Sequence, residues 1–124
     1  MSKRIMIVDD SIFARKMLKI ILTSHGYEVV GEFENGNEAV AEYTNLNPDL
    51  VTMDIIMYGM SGLEALNQIL SIAPNAKVII ISSHNNKDFI KETLQAGALY
   101  FIVKPYSKDY LLQIVEKALS KPIS

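Results

Sequence analysis

The sequence contains no cysteine, so it can form neither a disulfide framework nor a thiolate metal site. Its apolar runs are short, and none approaches the ~20 residues that a membrane-spanning helix needs. Near the amino terminus, Lys3 and Arg4 are followed only by Ile5 to Val8 before two aspartates, a pattern that predicts no signal peptide. We therefore expect a cytoplasmic protein without a membrane partner.

An excess of charge of one sign is also missing, since the formal net charge is only −2. Such a balance provides no basic surface of the kind that binds nucleic acid. The 124 residues are 49% hydrophobic and 21% charged, which is typical of a compact domain rather than a disordered chain. We expect one domain over residues 1–124, monomeric and without a direct nucleic-acid partner.

Five apolar segments alternate with five segments of helical character, joined by short connections. The strands are predicted at 4–8, 27–33, 49–56, 77–81 and 99–103. The helices are predicted between Ser11 and Gly26, over 38–44 after a turn at 35–37, from Ser61 or Gly62 to about Pro74, over 85–96, and from Ser107 onward. This alternation predicts an α/β fold of the flavodoxin-like type, a five-stranded parallel sheet in the order 2-1-3-4-5 with helices on both faces.

The apolar residues of each helix recur at helical spacing and are expected to face the sheet. In the first helix the expected inward residues are Ile12, Ala14, Met17, Leu18, Ile21 and Leu22. In the second helix they are Ala39, Val40 and Tyr43, and in the fifth they are Leu111, Ile114, Val115, Ala118 and Leu119.

Four of the five predicted strands end in a polar or charged side chain: Asp9 and Asp10, Asp54, Ser82, and Lys104. The carboxyl ends of parallel strands lie along one edge of the sheet, where such folds bind ligands. Three neighbouring carboxylates repel one another unless one is protonated or a cation lies among them. Because an all-oxygen set of carboxylates, carbonyls and water suits Mg²⁺, we predict a magnesium site at this edge.

Beside a metal ion, Asp54 can act as a nucleophile on a phosphoryl group, as in enzymes that form an aspartyl phosphate. Phosphoryl transfer depends on positioning and on neutralising the charge of the phosphoryl oxygens. The metal would contact one phosphoryl oxygen, Lys104 a second and the Ser82 hydroxyl a third. The residue types at this edge therefore match that chemistry.

These residues, together with Gly62 and Pro105, resemble the receiver domain of two-component response regulators over essentially the whole chain. The resemblance implies that Asp54 accepts a phosphoryl group from a histidine kinase, and that the protein is a regulator whose catalysis is limited to its own phosphorylation and dephosphorylation. It also implies that Asp10, Asp54 and the backbone carbonyl of Ile56 bind Mg²⁺ directly, with Asp9 acting mainly through water.

The resemblance further implies a two-state switch. The Ser82 hydroxyl would move toward the phosphoryl group, Lys104 would contact its oxygens, and Phe101 would turn inward. In this family the peptide bond before Pro105 is cis. The switch would change the surface of the fourth helix, fifth strand and fifth helix, whose exposed candidates are Lys87, Lys91, Gln95, Tyr100, Tyr106 and Lys108.

The implied output partner is the flagellar motor switch in chemotaxis, with an aspartyl-phosphate phosphatase as a further partner. A phosphorelay intermediate, or a receiver cut from a longer regulator, is the alternative. Tyr58 departs from the family pattern, which usually has proline there, so the rigidity of the loop after Asp54 is in question. Ile56 and His84 fall at variable positions beside the phosphorylation site, and we hypothesise that they set the dephosphorylation rate.

Three other classes of function compete with this one. A haloacid dehalogenase-like hydrolase also uses an Asp nucleophile and Mg²⁺, but it needs Asp-x-Asp after the first strand and a cap insertion, and Asp9-Asp10-Ser11 does not fit. A flavin-binding module would need a hydroxyl- or glycine-rich loop after the first strand, where this sequence has Asp9 and Asp10. A docking module that is never phosphorylated would not need the acidic set.

Overall fold

The computed structural model describes residues 2–122. Its strands are β1 (Arg4–Val8), β2 (Glu28–Phe33), β3 (Leu50–Met53), β4 (Val78–Ser82) and β5 (Tyr100–Val103). Its helices are α1 (Ile12–Ser24), α2 (Gly36–Leu46), α3 (Gly62–Ile72), α4 (Lys87–Ala96) and α5 (Lys108–Ser120). The prediction of five strands alternating with five helices is confirmed.

All five strands are parallel and lie in the order β2-β1-β3-β4-β5. The predicted α/β fold is therefore confirmed. The central strands β1, β3 and β4 are buried almost along their whole length, because helices cover both faces of the sheet. Alternation along a strand gives each face its own core: Met6 and Val51 belong to one cluster, whereas Ile5 and Ile7 belong to the other.

The two clusters assign the helices to opposite faces of the sheet. Leu66 and Ile69 of α3 pack with Ala39 and Tyr43 of α2 on one face, and the second cluster is formed with residues of α1 and α5 on the other. Within residues 2–122, we find no helix with the length and apolar character that crossing a lipid bilayer requires.

The beginnings of the helices follow from polar caps. The side chains of Ser11, Ser61 and Ser107 each accept a hydrogen bond from the backbone N–H three residues later, as expected for N-cap residues. At the other end of two helices, Gly26 (φ +90°) and Gly97 (φ +118°) adopt the left-handed conformation that glycine tolerates best.

The turn predicted at 35–37 is wrong. Asn35 is instead the N-cap of α2, since its side-chain oxygen accepts a hydrogen bond of 2.9 Å from the backbone N–H of Glu38, and the helix begins at Gly36. The Asn-Gly-Asn sequence has the composition of a turn, but the same asparagine side chain can satisfy a free N–H at a helix start. The other boundaries shift by a few residues, the fourth helix beginning at Lys87 rather than at position 85.

The prediction that Ile12 and Met17 face the sheet is also wrong. They are 61% and 43% exposed, and Phe13 and Ile20 of the same helix are 72% and 62% exposed. α1 is apolar on most of its circumference, so hydrophobic spacing alone could not decide which side packs on the sheet. An apolar face of α1 is consequently left open to solvent.

Candidate functional site

Backbone hydrogen bonds place the polar residues that follow three strands at one edge of the sheet. The N–H of Asp9 donates to the carbonyl of Phe33, and the N–H of Asp54 donates to the carbonyl of Val8, both at 3.0 Å. The N–H of Lys104 donates to the carbonyl of Ser82, also at 3.0 Å. The sheet pairing thus continues beyond the ends of β1, β3 and β5 and fixes where these side chains start.

Three carboxylates meet at this edge. Asp9, Asp10 and Asp54 each offer an oxygen atom, and these atoms all lie within 4.8 Å of one another. Asp9 is buried, Asp54 is partly buried and Asp10 is exposed, so the cluster opens to solvent on the side of Asp10. An all-oxygen donor set with one accessible side fits Mg²⁺, which keeps several waters when it binds to proteins.

Lys104 supplies the positive charge of the site. Its Nζ lies 2.6 Å from Asp9 Oδ2 and 3.6 Å from Asp54 Oδ2. Burial alone would lower the pKa of Lys104, but the hydrogen bond to Asp9 and the charges of Asp54 and Asp9 outweigh burial and raise that pKa. Lys104 is therefore held in its charged form between two carboxylates.

Asp54 is held in place but is electrostatically disfavoured as an anion. Its Oδ1 accepts a hydrogen bond of 2.8 Å from the backbone N–H of Ile55. Burial raises the pKa of Asp54 and the charges of Asp9 and Asp10 raise it further, whereas Lys104 and the Ile55 N–H only partly oppose this effect. A cation at the site would remove much of this penalty.

Asp9 is anchored by groups that the sequence analysis missed. Its Oδ1 accepts a hydrogen bond of 2.9 Å from the N–H of Ser11, and Arg15 Nη1 donates to its backbone carbonyl at 2.6 Å. The Arg15 guanidinium also faces Glu32 of β2, with Nε 3.8 Å from Oε1. A basic residue on the first turn of a helix, where acids are usually favoured, was the signal that could have identified it.

Gly62, the first residue of α3, permits a close backbone approach beside the site. A Cβ atom at this position would overlap the backbone carbonyl of Asp54 and lie 2.8 Å from the Cα of Ile55. The N–H of Gly62 donates to the carbonyl of Ile55 at 2.7 Å. Glycine is thus required where the loop after Asp54 returns to α3.

Two of the predicted rate-modulating residues, Ile56 and Tyr58, belong to this loop, and the third, His84, follows β4. Ile56 lies two residues after Asp54 with 47% of its surface exposed, and Tyr58 is 91% exposed. His84 is exposed, and the edge of its ring faces the Phe89 ring with centroids 6.4 Å apart. All three side chains are therefore accessible to solvent.

The predicted switch residues lie along the ends of β4 and β5. Ser82 is fully buried, and its Oγ accepts a hydrogen bond of 3.1 Å from the N–H of His84. Phe101 is partly buried and packs against the core cluster that contains Met6. The peptide bond between Lys104 and Pro105 is cis.

The candidate output surface on α4, β5 and α5 is only partly as predicted. Lys87, Lys91, Gln95 and Lys108 are exposed, but the exposed positions predicted for Tyr100 and Tyr106 are wrong, because both are partly buried. Both rings pack against the core cluster beneath α1 and α5. Burial raises the pKa of Tyr106, Lys104 lowers it and the Asp9 charge raises it, so this phenol lies close to the site.

Comparisons with known proteins agree with this geometry. A family described as the response regulator receiver domain matches residues 5–116. A chemotaxis protein CheY from Thermotoga maritima is 48% identical over 94% of this chain and 98% of its own length, and one from Bacillus subtilis is 46% identical over 97% and 100%. A chain of the CheX–CheY–BeF3–Mg²⁺ complex from Borrelia burgdorferi superposes with a TM-score of 0.92 and 40% identity, covering 96% of this chain and 90% of that one.

Proposed function

Because the chain belongs to the response regulator receiver family, we propose that it works as a phosphorylated signalling switch, with a receiver domain over residues 1–124 and Asp54 as the phosphoacceptor. The observation that carries the proposal is the partly buried Asp54 carboxylate, which lies beside Lys104 and within 4.8 Å of two further carboxylates. A histidine kinase is the proposed donor, and small phosphodonors are expected to act as well.

In the proposed reaction, a carboxylate oxygen of Asp54 attacks the phosphorus atom of the donor. The bond from phosphorus to the donor's nitrogen or oxygen breaks as the new P–O bond forms, and the electron pair leaves with the donor. Lys104 holds its positive charge beside Asp54, so it can stabilise the negative charge that the phosphoryl oxygens carry. The reaction modifies the protein itself, which is therefore a regulator rather than an enzyme acting on a separate substrate.

We propose that Asp10, Asp54 and the backbone carbonyl of Ile56 hold Mg²⁺ directly, and that Asp9 acts through water because it is already paired with Lys104. Bound Mg²⁺ supplies neutralisation of the carboxylates and of one phosphoryl oxygen. The Borrelia complex, which contains Mg²⁺, supports the choice of ion.

The output is proposed to depend on Ser82 and Phe101. Ser82 would exchange its hydrogen bond with the His84 N–H for one to the phosphoryl group, and Phe101 would move inward from its partly buried position. Both residues lie next to the surface of α4, β5 and α5, so a change in their packing alters the shape of the surface that a partner would bind. Ile56, Tyr58 and His84 are proposed to control the access of water to the aspartyl phosphate, and hence its lifetime.

The CheY relatives support a role in chemotaxis, with the flagellar motor switch as the output partner and a phosphatase as a further partner. A strain lacking the gene is expected to swim but not to spread through soft agar along an attractant gradient. Normal spreading would favour the second candidate, a phosphorelay intermediate.

The proposed phosphorylation is tested by incubating the protein with acetyl phosphate and following its intact mass. We expect a gain of one phosphoryl group with Mg²⁺ and none with excess EDTA, because the three carboxylates repel an anionic donor without a cation. A wild-type protein that gains no mass in Mg²⁺ would contradict the proposed function.

The open face of α1 is where we expect a protein donor to lie. This face carries Phe13, Met17 and Ile20, and it starts directly after Ser11, which bonds to Asp9 of the site. We propose that a protein bringing a phosphorylated histidine to Asp54 lies across this helix. The sequence of α1 contains no acidic residue, so an apolar donor surface with an acidic rim would complement it.

A Phe13→Ala variant is therefore expected to accept phosphoryl groups from its histidine kinase about tenfold more slowly, because an exposed aromatic anchor is lost. Its rate with acetyl phosphate should stay close to that of the wild type, since this small donor needs no docking surface. Ile72→Ala is the matched control, because Ile72 is 52% exposed on α3, which packs on the opposite face of the sheet from α1. Equal slowing with both donors would refute a docking role.

A further inference from the structure

Thr52 is a buried residue of β3 with an unsatisfied hydroxyl. Only 2% of its surface is exposed, and among the side chains of residues 2–122 its Oγ1 is the one buried nitrogen or oxygen without a hydrogen-bond partner. A buried polar group normally has such a partner, because leaving water without one is costly. Asp54 directly follows β3 and its N–H still pairs with the carbonyl of Val8, so the alternation of side chains places Thr52 and Asp54 on the same side.

Thr52 lines a small cavity together with residues of the acidic site. Thr52, Asp54, Lys104 and Tyr106 contribute to its wall, and Ala14 and Leu18 of α1 are among the residues that line it. Its volume is about 10 Å³. That is close to the lower limit for holding one water molecule, and it excludes any larger ligand. A buried water needs two to four polar partners, and the four named wall residues all carry polar groups.

We propose that this cavity binds one water molecule, hydrogen-bonded to Thr52 Oγ1, and that Thr52 acts through this water as a positioning residue for the Asp54 carboxylate. The water site concerns the fold alone, whereas the positioning role of Thr52 rests on the proposed function. In the structure Asp54 Oδ1 is fixed by the N–H of Ile55, but Oδ2 is 3.6 Å from Lys104, which is too long for a hydrogen bond. A water beneath the carboxylate would provide the fixed contact that Lys104 does not.

Thr52→Val and Thr52→Ser separate the hydroxyl from the shape of the side chain. Valine keeps the branched shape and removes the hydroxyl, whereas serine keeps the hydroxyl. We expect high-resolution crystal structures to contain an ordered water at the cavity in the wild type and in Thr52→Ser, and none in Thr52→Val. We also expect the melting temperature of Thr52→Val to fall by about 3–6 °C, the shift typical of one lost buried interaction in a domain of this size.

The positioning role is tested with acetyl phosphate and Mg²⁺. The rate of mass gain is expected to fall about three- to tenfold in Thr52→Val and to remain near the wild-type rate in Thr52→Ser, with the Mg²⁺ affinity measured by calorimetry unchanged in both. A merely structural role would lower the melting temperature without changing the rate of phosphorylation.

Several results would overturn the proposal. A dry cavity in the wild type, with Thr52→Val more stable than the wild type, would mean that the hydroxyl is simply unsatisfied and that there is no water site. If the wild type contains the ordered water but Thr52→Val is phosphorylated at the wild-type rate, the water site stands and only the positioning role is refuted. A wild type that is never phosphorylated would defeat the proposed function, while the crystal structures and melting temperatures would still decide whether the water site exists.

Discussion

An Asp54→Asn variant is expected to gain no phosphoryl mass from acetyl phosphate and Mg²⁺ under conditions that convert the wild type. The amide keeps the size and shape of the side chain, but its oxygen is no longer an anionic nucleophile. We expect the rate of mass gain to fall by at least about 10³-fold, the scale on which removal of a nucleophile acts in enzymes. Intact-mass spectrometry over a time course measures this directly.

Asp88→Asn is a matched control, because Asp88 is exposed on the first turn of α4 and outside the acidic cluster. It removes the same charge and is expected to be phosphorylated at the wild-type rate. If Asp54→Asn gains phosphoryl mass as the wild type does, the phosphoacceptor is another residue. Asp9, Asp10 and Lys104 would then lack the role proposed for them.

The same variant has an expected effect on stability that depends on pH. The pKa of Asp54 is raised in the folded protein above its ordinary value of 3.8, mainly by burial, so the folded state binds this proton more tightly than the unfolded state. Ionisation of Asp54 therefore costs stability as the pH rises from the ordinary carboxyl pKa through the raised one. In EDTA, Asp54→Asn should melt at a higher temperature than the wild type near neutral pH.

Because asparagine does not titrate, this difference should shrink as the pH is lowered through that interval, where Asp54 takes up its proton. Added Mg²⁺ should also reduce it, since an ion that binds the folded wild type more tightly stabilises that protein more. A melting temperature of Asp54→Asn that lies below that of the wild type at neutral pH in EDTA would contradict the pKa shift.

The sequence predicted the placement of the site better than the contacts inside it. Asp9, Asp54 and Lys104 each follow an apolar strand. Parallel strands bring their carboxyl ends to one edge of the sheet, independently of how the helices pack. The ends of strands could therefore be read from local composition. The hydrogen bond from Arg15 to the Asp9 carbonyl, the burial of Tyr106 and the unsatisfied hydroxyl of Thr52 depend on how α1 and α5 pack against the sheet.

The errors have related physical causes. Asn35 could begin a turn or cap a helix with the same side-chain oxygen, and only the packing of α2 decides between the two. The apolar residues of α1, with Ile12 and Met17 among them, cover more than half of its circumference, so spacing did not identify the side that meets the sheet. Where local signals are ambiguous in this way, tertiary packing determines the outcome.

A Lys104→Met variant is expected to separate metal binding from phosphoryl transfer. The Lys104 ammonium lies 2.6 Å from Asp9 and 3.6 Å from Asp54, and no other Lys or Arg of residues 2–122 forms an ion pair with either carboxylate. Without it, phosphorylation by acetyl phosphate should slow about 10²-fold, since a charge aimed at the phosphoryl oxygens is gone. Intact-mass measurements at saturating Mg²⁺ give this rate.

The affinity of the Lys104→Met variant for Mg²⁺ should rise, although its rate of phosphorylation falls. Lys104 repels any cation that enters the acidic cluster, and its removal leaves the three carboxylates with an undiminished negative potential, so Mg²⁺ should bind about tenfold more tightly by calorimetry. Lys108→Met, an exposed substitution on α5, controls for the loss of one charge and should change neither quantity. Tighter binding also demonstrates that the site of the variant is folded, so slow phosphorylation cannot be attributed to misfolding. Weaker Mg²⁺ binding, or an unchanged rate, would mean that Lys104 serves to hold Asp9 in place rather than to meet the phosphoryl group.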